Sequence, residues 1–147
     1  MRAVVQRVDE ASVAVEGKVV AQISRGLLVL VGVENGDSGG DVSFLKRKII
    51  NLRVFDDSDG RMNLALRDVG GSLLLVSQFT LHGETRRGNR PDFTRAASAP
   101  VARDLYNALV EEIRAEGVPV ESGVFQAMMK VRLVNDGPVT LILDSKN

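Results

Sequence analysis

The sequence predicts an α+β fold in a single compact domain covering residues 1–147, strongly β, with two main helices packed on the sheet. Most apolar residues lie in short runs typical of strands, whereas only two segments have the spacing of amphipathic helices. A length of 147 residues matches one domain, and 44% hydrophobic with 26% charged residues is typical of an ordinary globular protein. No repeat, linker or low-complexity segment divides the chain.

Strands are expected mainly in the first and last parts of the chain. The N-terminus begins with an amphipathic strand, and a turn at Glu16-Gly17 joins the second and third strands. In the middle, residues 56–60 are expected to form a turn, after which residues 61–64 begin another strand. The remaining strands are predicted at residues 2–8, 11–16, 18–23, 26–34, 72–79, 127–134 and 139–144.

Two segments have helical periodicity. Asp41 is expected to cap the first helix, which runs to about residue 53 with an apolar face formed by Val42, Leu45, Ile49 and Leu52. Ser98 opens the second helix with Pro100 in its first turn, and this helix ends before Gly117. Its predicted apolar positions are Val101, Leu105, Leu109 and Ile113.

The residue inventory excludes several kinds of chemistry. The chain has no cysteine, which removes thiol nucleophiles, disulfides and thiolate metal sites, and its single histidine excludes a multi-histidine zinc centre. Residues 56–60 resemble a calcium loop, but aligning Gly60 with the loop glycine places Phe55 and Leu66 at ligand positions. We therefore expect no metal and no cofactor.

Charge and hydropathy limit the possible partners. The formal net charge is zero, so any binding of nucleic acid must depend on a local basic patch. One candidate patch consists of Arg86, Arg87, Arg90 and Arg95. The longest apolar run, residues 26–33, is too short to span a bilayer, and the N-terminus indicates no signal peptide. A cytoplasmic protein without membrane contact is therefore expected.

Two polar segments beside predicted strands are the candidate functional motifs. Ser77, Gln78, Phe79 and Thr80 follow the apolar run 73–76, at a strand end where sheets commonly expose their sites. The second motif, residues 135–140, contains the Gly137-Pro138 bond, and X-Pro bonds adopt the cis form more readily than other peptides. Taken alone, this second motif is more typical of an ordinary turn that closes a hairpin.

These two motifs, the opening residues 1–8 and the run 88–91 closely resemble the D-aminoacyl-tRNA deacylase family, over essentially all 147 residues. The resemblance implies a cytoplasmic, homodimeric editing hydrolase that cleaves D-amino acids, and also mischarged glycine, from the 3′ end of tRNA. Two positions differ from the family pattern: Gln126 stands where a small residue, usually Gly, is expected, and His82 replaces a more usual aromatic. Both differences concern the size and rim of the pocket.

The resemblance also implies a role for each motif. Backbone N–H groups near Phe79 and Thr80 would stabilise an oxyanion, Gln78 would position the adenosine or the ester, and the tRNA 2′-hydroxyl would help to activate water. The carbonyls of a cis Gly137-Pro138 bond, projected from the partner subunit, would occupy the space of an L side chain. Supporting roles are implied for Arg7, which would hold those carbonyls, and for Asn135, Val139, Thr140, Phe125 and Met129. The implied tRNA contacts are Arg86, Arg87 and Arg90, and DNA is not an expected partner.

Two other functions remain open from the residues alone. Thr80 could act as a nucleophile with His82 as its base, but the sequence nominates no orienting acid. The chain could instead be a non-catalytic RNA-binding module that uses the basic patch. With only five Phe and one Tyr, nothing in the sequence indicates the stacked aromatics that such modules often use.

Overall fold

The computed structural model describes all 147 residues, and the predicted α+β class, rich in strands and with two main helices, is confirmed. The strands are β1 (Arg2–Val15), β2 (Lys18–Ile23), β3 (Gly26–Gly32), β4 (Phe55–Asp56), β5 (Met62–Leu64), β6 (Ser72–Ser77), β7 (Val120–Ser122) and β8 (Lys130–Asp144). The helices are α1 (Gly39–Asn51) and α2 (Ala99–Ala115), and short 3-10 helices cover Leu66–Val69 and Phe79–His82. Neither main helix combines the length and the apolar character that crossing a membrane would need.

Strand β1 lies at the centre of a mixed sheet. Its first part, residues 2–8, pairs with β3, its last part, residues 11–15, pairs with β2, and β8 pairs with both parts, always antiparallel. Strands β6 and β7 extend the sheet in parallel beyond β3. The predicted turn between β1 and β2 is confirmed: Glu16 and Gly17 have positive φ values of 50° and 79°, as a two-residue hairpin turn requires.

Two predicted strand breaks are wrong. The strands expected at 2–8 and 11–16 are one strand, β1, which bends through register shifts opposite β8 between residues 6 and 10. The strands expected at 127–134 and 139–144 are likewise one strand, β8, with the Gly-Pro motif inside it. Each long strand remains continuous because the other supplies its hydrogen-bond partners across the bend.

The predicted cap and face of α1 need correction. Ser38, and not Asp41, is the N-cap residue, while Asp41 is the third residue of the helix and its carboxylate accepts a 2.8 Å hydrogen bond from the Ser38 amide. This is half of a capping box, which satisfies an amide at the start of the helix. Leu52 lies beyond the last turn, and Ile50 is buried in the core instead.

Helix α2 begins at the predicted Ser98 cap, and its predicted apolar face is confirmed at Leu109 and Ile113 but wrong at Val101. Val101 is 46% exposed, whereas the buried residues are Ala102, Tyr106, Leu109, Val110 and Ile113. A strict four-residue repeat drifts by about 40° at each step around a helix with 3.6 residues per turn. Alternating spacings of three and four residues keep one face toward the sheet, and Tyr106 belongs to that face.

Strands β3 and β6 are buried on both faces. The main core lies between the sheet and the two helices, and it contains Val5, Leu27 and Leu75. A smaller core on the opposite face unites residues of β1, β2, β3 and β6, among them Leu28 and Leu74. Because successive residues of a strand point to opposite faces, β6 is apolar at all four buried positions, and its polar residues, Ser72 and Ser77, lie at its two ends.

Candidate active site

A cavity of about 700 Å³ opens where β6 ends. Its walls come from the end of β6 and the turn after it, from the start of α2, and from residues 125–131. Eleven of its fifteen lining residues are hydrophobic, and the four polar ones are Ser77, Gln78, Thr80 and Gln126. Concave, mostly apolar pockets with a few polar groups are typical of ligand sites in proteins. The predicted catalytic segment 77–80 lines this cavity, together with Phe125 and Met129.

Phe79 and Thr80, which line this cavity, begin a short 3-10 helix directly after β6. The parallel ladder between β3 and β6 ends when the Gln78 amide donates to Val31 O at 2.8 Å. The strand predicted to reach residue 79 therefore ends at Ser77, and a 3-10 helix begins at Phe79. Hydrogen bonds in such a helix run from residue i+3 back to residue i, so its first amides, those of Phe79 and Thr80, have no partner within it.

The hydroxyl of Thr80 is not paired with a histidine. Gln78 Nε2 donates a short hydrogen bond to Thr80 Oγ1 at the exposed mouth of the cavity. His82 is 2% exposed, and neither of its ring nitrogens has a hydrogen-bond partner. The contact that a Thr80–His82 nucleophile and base would need is therefore missing.

A buried tyrosine anchors the cavity wall that precedes β8. The Tyr106 hydroxyl donates to Leu75 O at 2.8 Å and lies 2.6 Å from Ser122 Oγ, and its ring packs on Phe125 with centroids 6.1 Å apart. Burial raises the pKa of the Tyr106 phenol, so it remains a neutral donor. In the same wall Gln126 has a φ of 63°, an uncommon conformation for a residue other than glycine.

The Gly137-Pro138 peptide is cis and lies on an exposed corner of β8. Arg7 is 6% exposed and holds the residue before this corner: its Nε donates to Asp136 O at 3.0 Å. The same guanidinium donates from Nη1 to Val54 O at 2.7 Å and to an Asp56 carboxylate oxygen at 3.3 Å. The resemblance implied that Arg7 holds the carbonyls of the Gly137-Pro138 corner. The carbonyl that Arg7 contacts there is that of Asp136, the residue before the corner.

A second set of hydrogen bonds ties the corner together from within. The Val139 amide donates to Asn135 Oδ1 at 2.7 Å, while Asn135 Nδ2 donates to Val139 O at 3.3 Å and to Thr140 Oγ1 at 3.1 Å. The Asn135 side chain therefore links the strand before the Gly137-Pro138 peptide to Val139 and Thr140 after it. Neither Gly137 nor Pro138 lines the cavity of its own chain.

The predicted basic patch divides into paired and unpaired arginines. Arg86 forms an ion pair with Glu84 at 2.7 Å, and its hydrogen bond lowers the pKa of Glu84 to about 2. Arg95 forms an ion pair with Glu34 at 2.5 Å. Arg87 and Arg90 are exposed and make no ion pair within the chain.

Some cavity residues were not expected from the sequence. Ala97, Ala99 and Ala102 form the wall at the start of α2, and Met128, which is 85% exposed, lies at the rim. The run of small residues before α2 is the signal that could have indicated a wall lying close to a ligand. Phe93 was also missed, although its ring packs edge-to-face against Phe79 with centroids 5.1 Å apart.

Comparisons with known proteins agree with the fold. A family model described as D-Tyr-tRNA(Tyr) deacylase matches residues 4–144. A D-aminoacyl-tRNA deacylase of Fervidobacterium nodosum is 56% identical over 146 residues, which cover 99% of this chain and 98% of that protein. The solved structure of a c-Myc DNA Unwinding Element Binding Protein is 41% identical and superposes with a TM-score of 0.93 over 99% of both chains.

A more distant solved structure shares the fold. A probable eukaryotic D-amino acid tRNA deacylase is 18% identical, covers 97% of both chains and superposes with a TM-score of 0.79. The family model and the close relative span nearly the full length of the chain, including both motifs. The chain therefore belongs to the D-aminoacyl-tRNA deacylase family of hydrolases.

Proposed function

We propose that this chain hydrolyses the ester that joins a D-amino acid to the 3′-terminal adenosine of tRNA, and that it also releases glycine mischarged on tRNA. The observation that carries the proposal is the cavity at the end of β6, where apolar walls meet the first amides of a short helix. Family membership supports the class of substrate, because relatives are named D-aminoacyl-tRNA deacylases.

The proposed reaction needs little from side chains. A water oxygen attacks the ester carbonyl carbon, the bond to the ribose 3′-oxygen breaks, and that oxygen leaves with a proton, giving free amino acid and tRNA. The amides of Phe79 and Thr80 donate to the negative charge that develops on the carbonyl oxygen. Gln78 orients the ester, and the neighbouring 2′-hydroxyl of the RNA helps to activate the water.

Two copies of the chain would form each complete site. The Gly137-Pro138 corner is exposed and lies outside its own chain's cavity, which supports a site where the partner subunit contributes its corner. Strand β8 also carries exposed apolar side chains that could form a twofold contact, namely Val134 at 47%, Leu141 at 39% and Ile142 at 70% exposure. We therefore propose a homodimer.

Handedness would be read by exclusion. The carbonyls of the corner fill the space where an L side chain would lie, so the gate needs no favourable contact with the D side chain. Glycine has no side chain to collide, and D residues of different sizes all point away from the corner. Such a gate must be rigid, and the hydrogen bonds of Arg7 and Asn135 support that rigidity.

The RNA would be held by charge outside the cavity. Arg87 and Arg90 are the free cations of the predicted patch, and Arg86 is partly neutralised by Glu84. Such contacts to phosphates make binding depend on salt. Since the substrate is charged tRNA, we propose that the enzyme acts in the cytoplasm, in quality control of translation.

The test is tyrosine release from D-tyrosyl-tRNA by the protein and by Thr80→Val. In the proposed mechanism the variant loses the hydrogen bond with Gln78 but keeps the amide donors, so kcat/KM falls by at most about tenfold. A Thr80 nucleophile would instead cost on the order of a millionfold in kcat. An RNA-binding module would bind tRNA and release no tyrosine in either protein.

A further inference from the structure

We propose that Phe79 and Phe93 form a stacking platform for the base that precedes the terminal nucleotide of a single-stranded RNA end. Arg87 and Arg90 would hold the phosphates beside that base. The inference rests on the proposed function for the identity of the RNA, and it adds a subsite outside the cavity.

The first observation is an aromatic ring left open to solvent. Phe79 is 54% exposed, whereas the other five Phe and Tyr side chains of the chain are buried or half-buried. Phe93 packs against it edge-to-face, with an angle of 72° between the rings. Phe93 is itself held against the turn, since a Cβ added at Gly83 would lie 3.0 Å from its Cε1. The exposed Phe79 ring is therefore packed on one side against a ring that itself contacts the turn.

The second observation is the position of the two rings between the cavity and the loop 84–92. Phe79 lines the cavity and Phe93 does not. Phe93 follows Asp92, which closes a loop by exchanging two backbone hydrogen bonds with Glu84, at 2.8 and 3.0 Å. An RNA strand that leaves the cavity past Phe79 would therefore meet Phe93 and then the loop 84–92.

The third observation is the charge on that loop. Arg87 and Arg90 are exposed and unpaired, whereas Arg86 is paired with Glu84. Arg87 is three residues from the loop closure and Arg90 two, so their Cα atoms lie within roughly 11 Å of it. An aromatic ring that stacks a base, next to cations that follow the backbone, is the arrangement by which proteins bind single-stranded nucleic acid without reading its sequence.

Phe79 would then have two separate functions. Its backbone amide would donate a hydrogen bond to the reacting carbonyl inside the cavity. Its ring would stack on the base of the preceding nucleotide outside the cavity.

The experiment combines a change in the protein with a change in the RNA. Binding of an uncharged tRNA is compared with binding of the same tRNA carrying an abasic residue at the penultimate position, for the unaltered protein and for Phe79→Leu. We expect the abasic residue to weaken binding to the unaltered protein by about fivefold to 150-fold, the range for one stacked base. In Phe79→Leu the abasic residue should have almost no further effect, because the two changes remove the same contact.

Two further variants complete the test. Phe79→Trp keeps an aromatic face and should restore the response to the abasic residue. Val20→Ala removes an exposed apolar side chain on β2, of 45% exposure, and should leave the response as in the unaltered protein.

The abasic RNA tests the platform even if a variant fails to fold, because the unaltered protein must lose affinity for it. Equal binding of intact and abasic RNA by the unaltered protein overturns the inference. Binding is measured on uncharged RNA, so a protein that hydrolyses no ester would refute the proposed function and leave this comparison intact.

Discussion

The substitution Gly137→Ala probes the proposed gate most sharply. Gly137 has a φ of 138°, where L side chains are rare, and an added Cβ would lie 2.8 Å from Val139 Cγ2 and 3.0 Å from Val139 N. A non-glycine residue in such a region costs about 1 to 3 kcal/mol. Overpacking typically costs about 1 to 3 kcal/mol more. We expect the free energy of unfolding to fall by about 2 to 6 kcal/mol, or less if the corner shifts to relieve the overlap.

The assay pairs stability with selectivity. Urea unfolding gives the loss of stability, and kcat/KM for D-tyrosyl-tRNA and L-tyrosyl-tRNA gives the D-to-L ratio. A displaced corner no longer fills the space of an L side chain, so the ratio should fall by at least about tenfold, which is about 1.4 kcal/mol of discrimination.

Gly17→Ala is the matched control. Gly17 also has a positive φ, of 79°, but nothing lies within 4 Å of an added Cβ. Its cost should be confined to about 1 to 2 kcal/mol of backbone energy, with no change in the D-to-L ratio. A folded Gly137→Ala protein with the same D-to-L ratio as the unaltered protein would refute the reasoning.

Four further predictions follow from the contacts described. Arg7→Met removes charge-assisted bonds to two carbonyl oxygens, so urea unfolding should show a loss of about 3 to 6 kcal/mol, and a loss below 1 kcal/mol would contradict this account. Tyr106→Phe removes the hydroxyl that anchors the cavity wall, so the free energy of unfolding should fall by about 1 to 3 kcal/mol. The KM for D-tyrosyl-tRNA should rise while kcat stays nearly constant. An unchanged KM would contradict the role of Tyr106 in positioning the wall that contacts the substrate. Burial raises the pKa of Asp41, but hydrogen bonds from two serines and a lysine outweigh it and lower the pKa below its ordinary value of 3.8. The stability from Asp41 is therefore complete above that value and is lost as the pH falls below it, so Asp41→Asn should be less stable at pH 7 and should lose less stability on acidification. Arg87→Ala combined with Arg90→Ala should reduce the slope of log affinity for tRNA against log salt by about 1.4 to 1.8, and an unchanged slope would show that these arginines touch no phosphate.

Local patterns in the sequence predicted the fold class and most elements. The apolar runs of β3 and β6 are buried on both faces, and the sequence shows them as continuous apolar runs because side chains on both faces of these strands pack in a core. The Ser98 cap and the Glu16-Gly17 turn were also predictable, since each depends on the conformational preference of its own residues.

Features that depend on distant partners were not predictable. The continuity of β1 and β8 depends on their pairing with each other, and the buried face of α2 depends on where Tyr106 meets β6. The position of Ser38 as the α1 cap depends on a carboxylate three residues away, which the prediction assigned to the cap itself.

The candidate site shows the same division. Segment 77–80 and the Gly-Pro motif were identifiable from their residues, although they lie far apart in sequence and belong to separate parts of the fold. The aromatic pair was missed because composition counts aromatic residues without showing which are exposed. Phe79 and Phe93 are fourteen positions apart, and only the closed loop between them brings their rings together.

The most direct test of the central claim is amino acid release from one tRNA charged in parallel with D-tyrosine, L-tyrosine or glycine, at matched protein concentration. A gate that works by excluding L side chains predicts rapid loss of the D-tyrosyl and glycyl esters and survival of the L-tyrosyl ester. Equal loss of the D and L esters would contradict the gate and indicate a general esterase, and survival of all three would contradict the hydrolase itself.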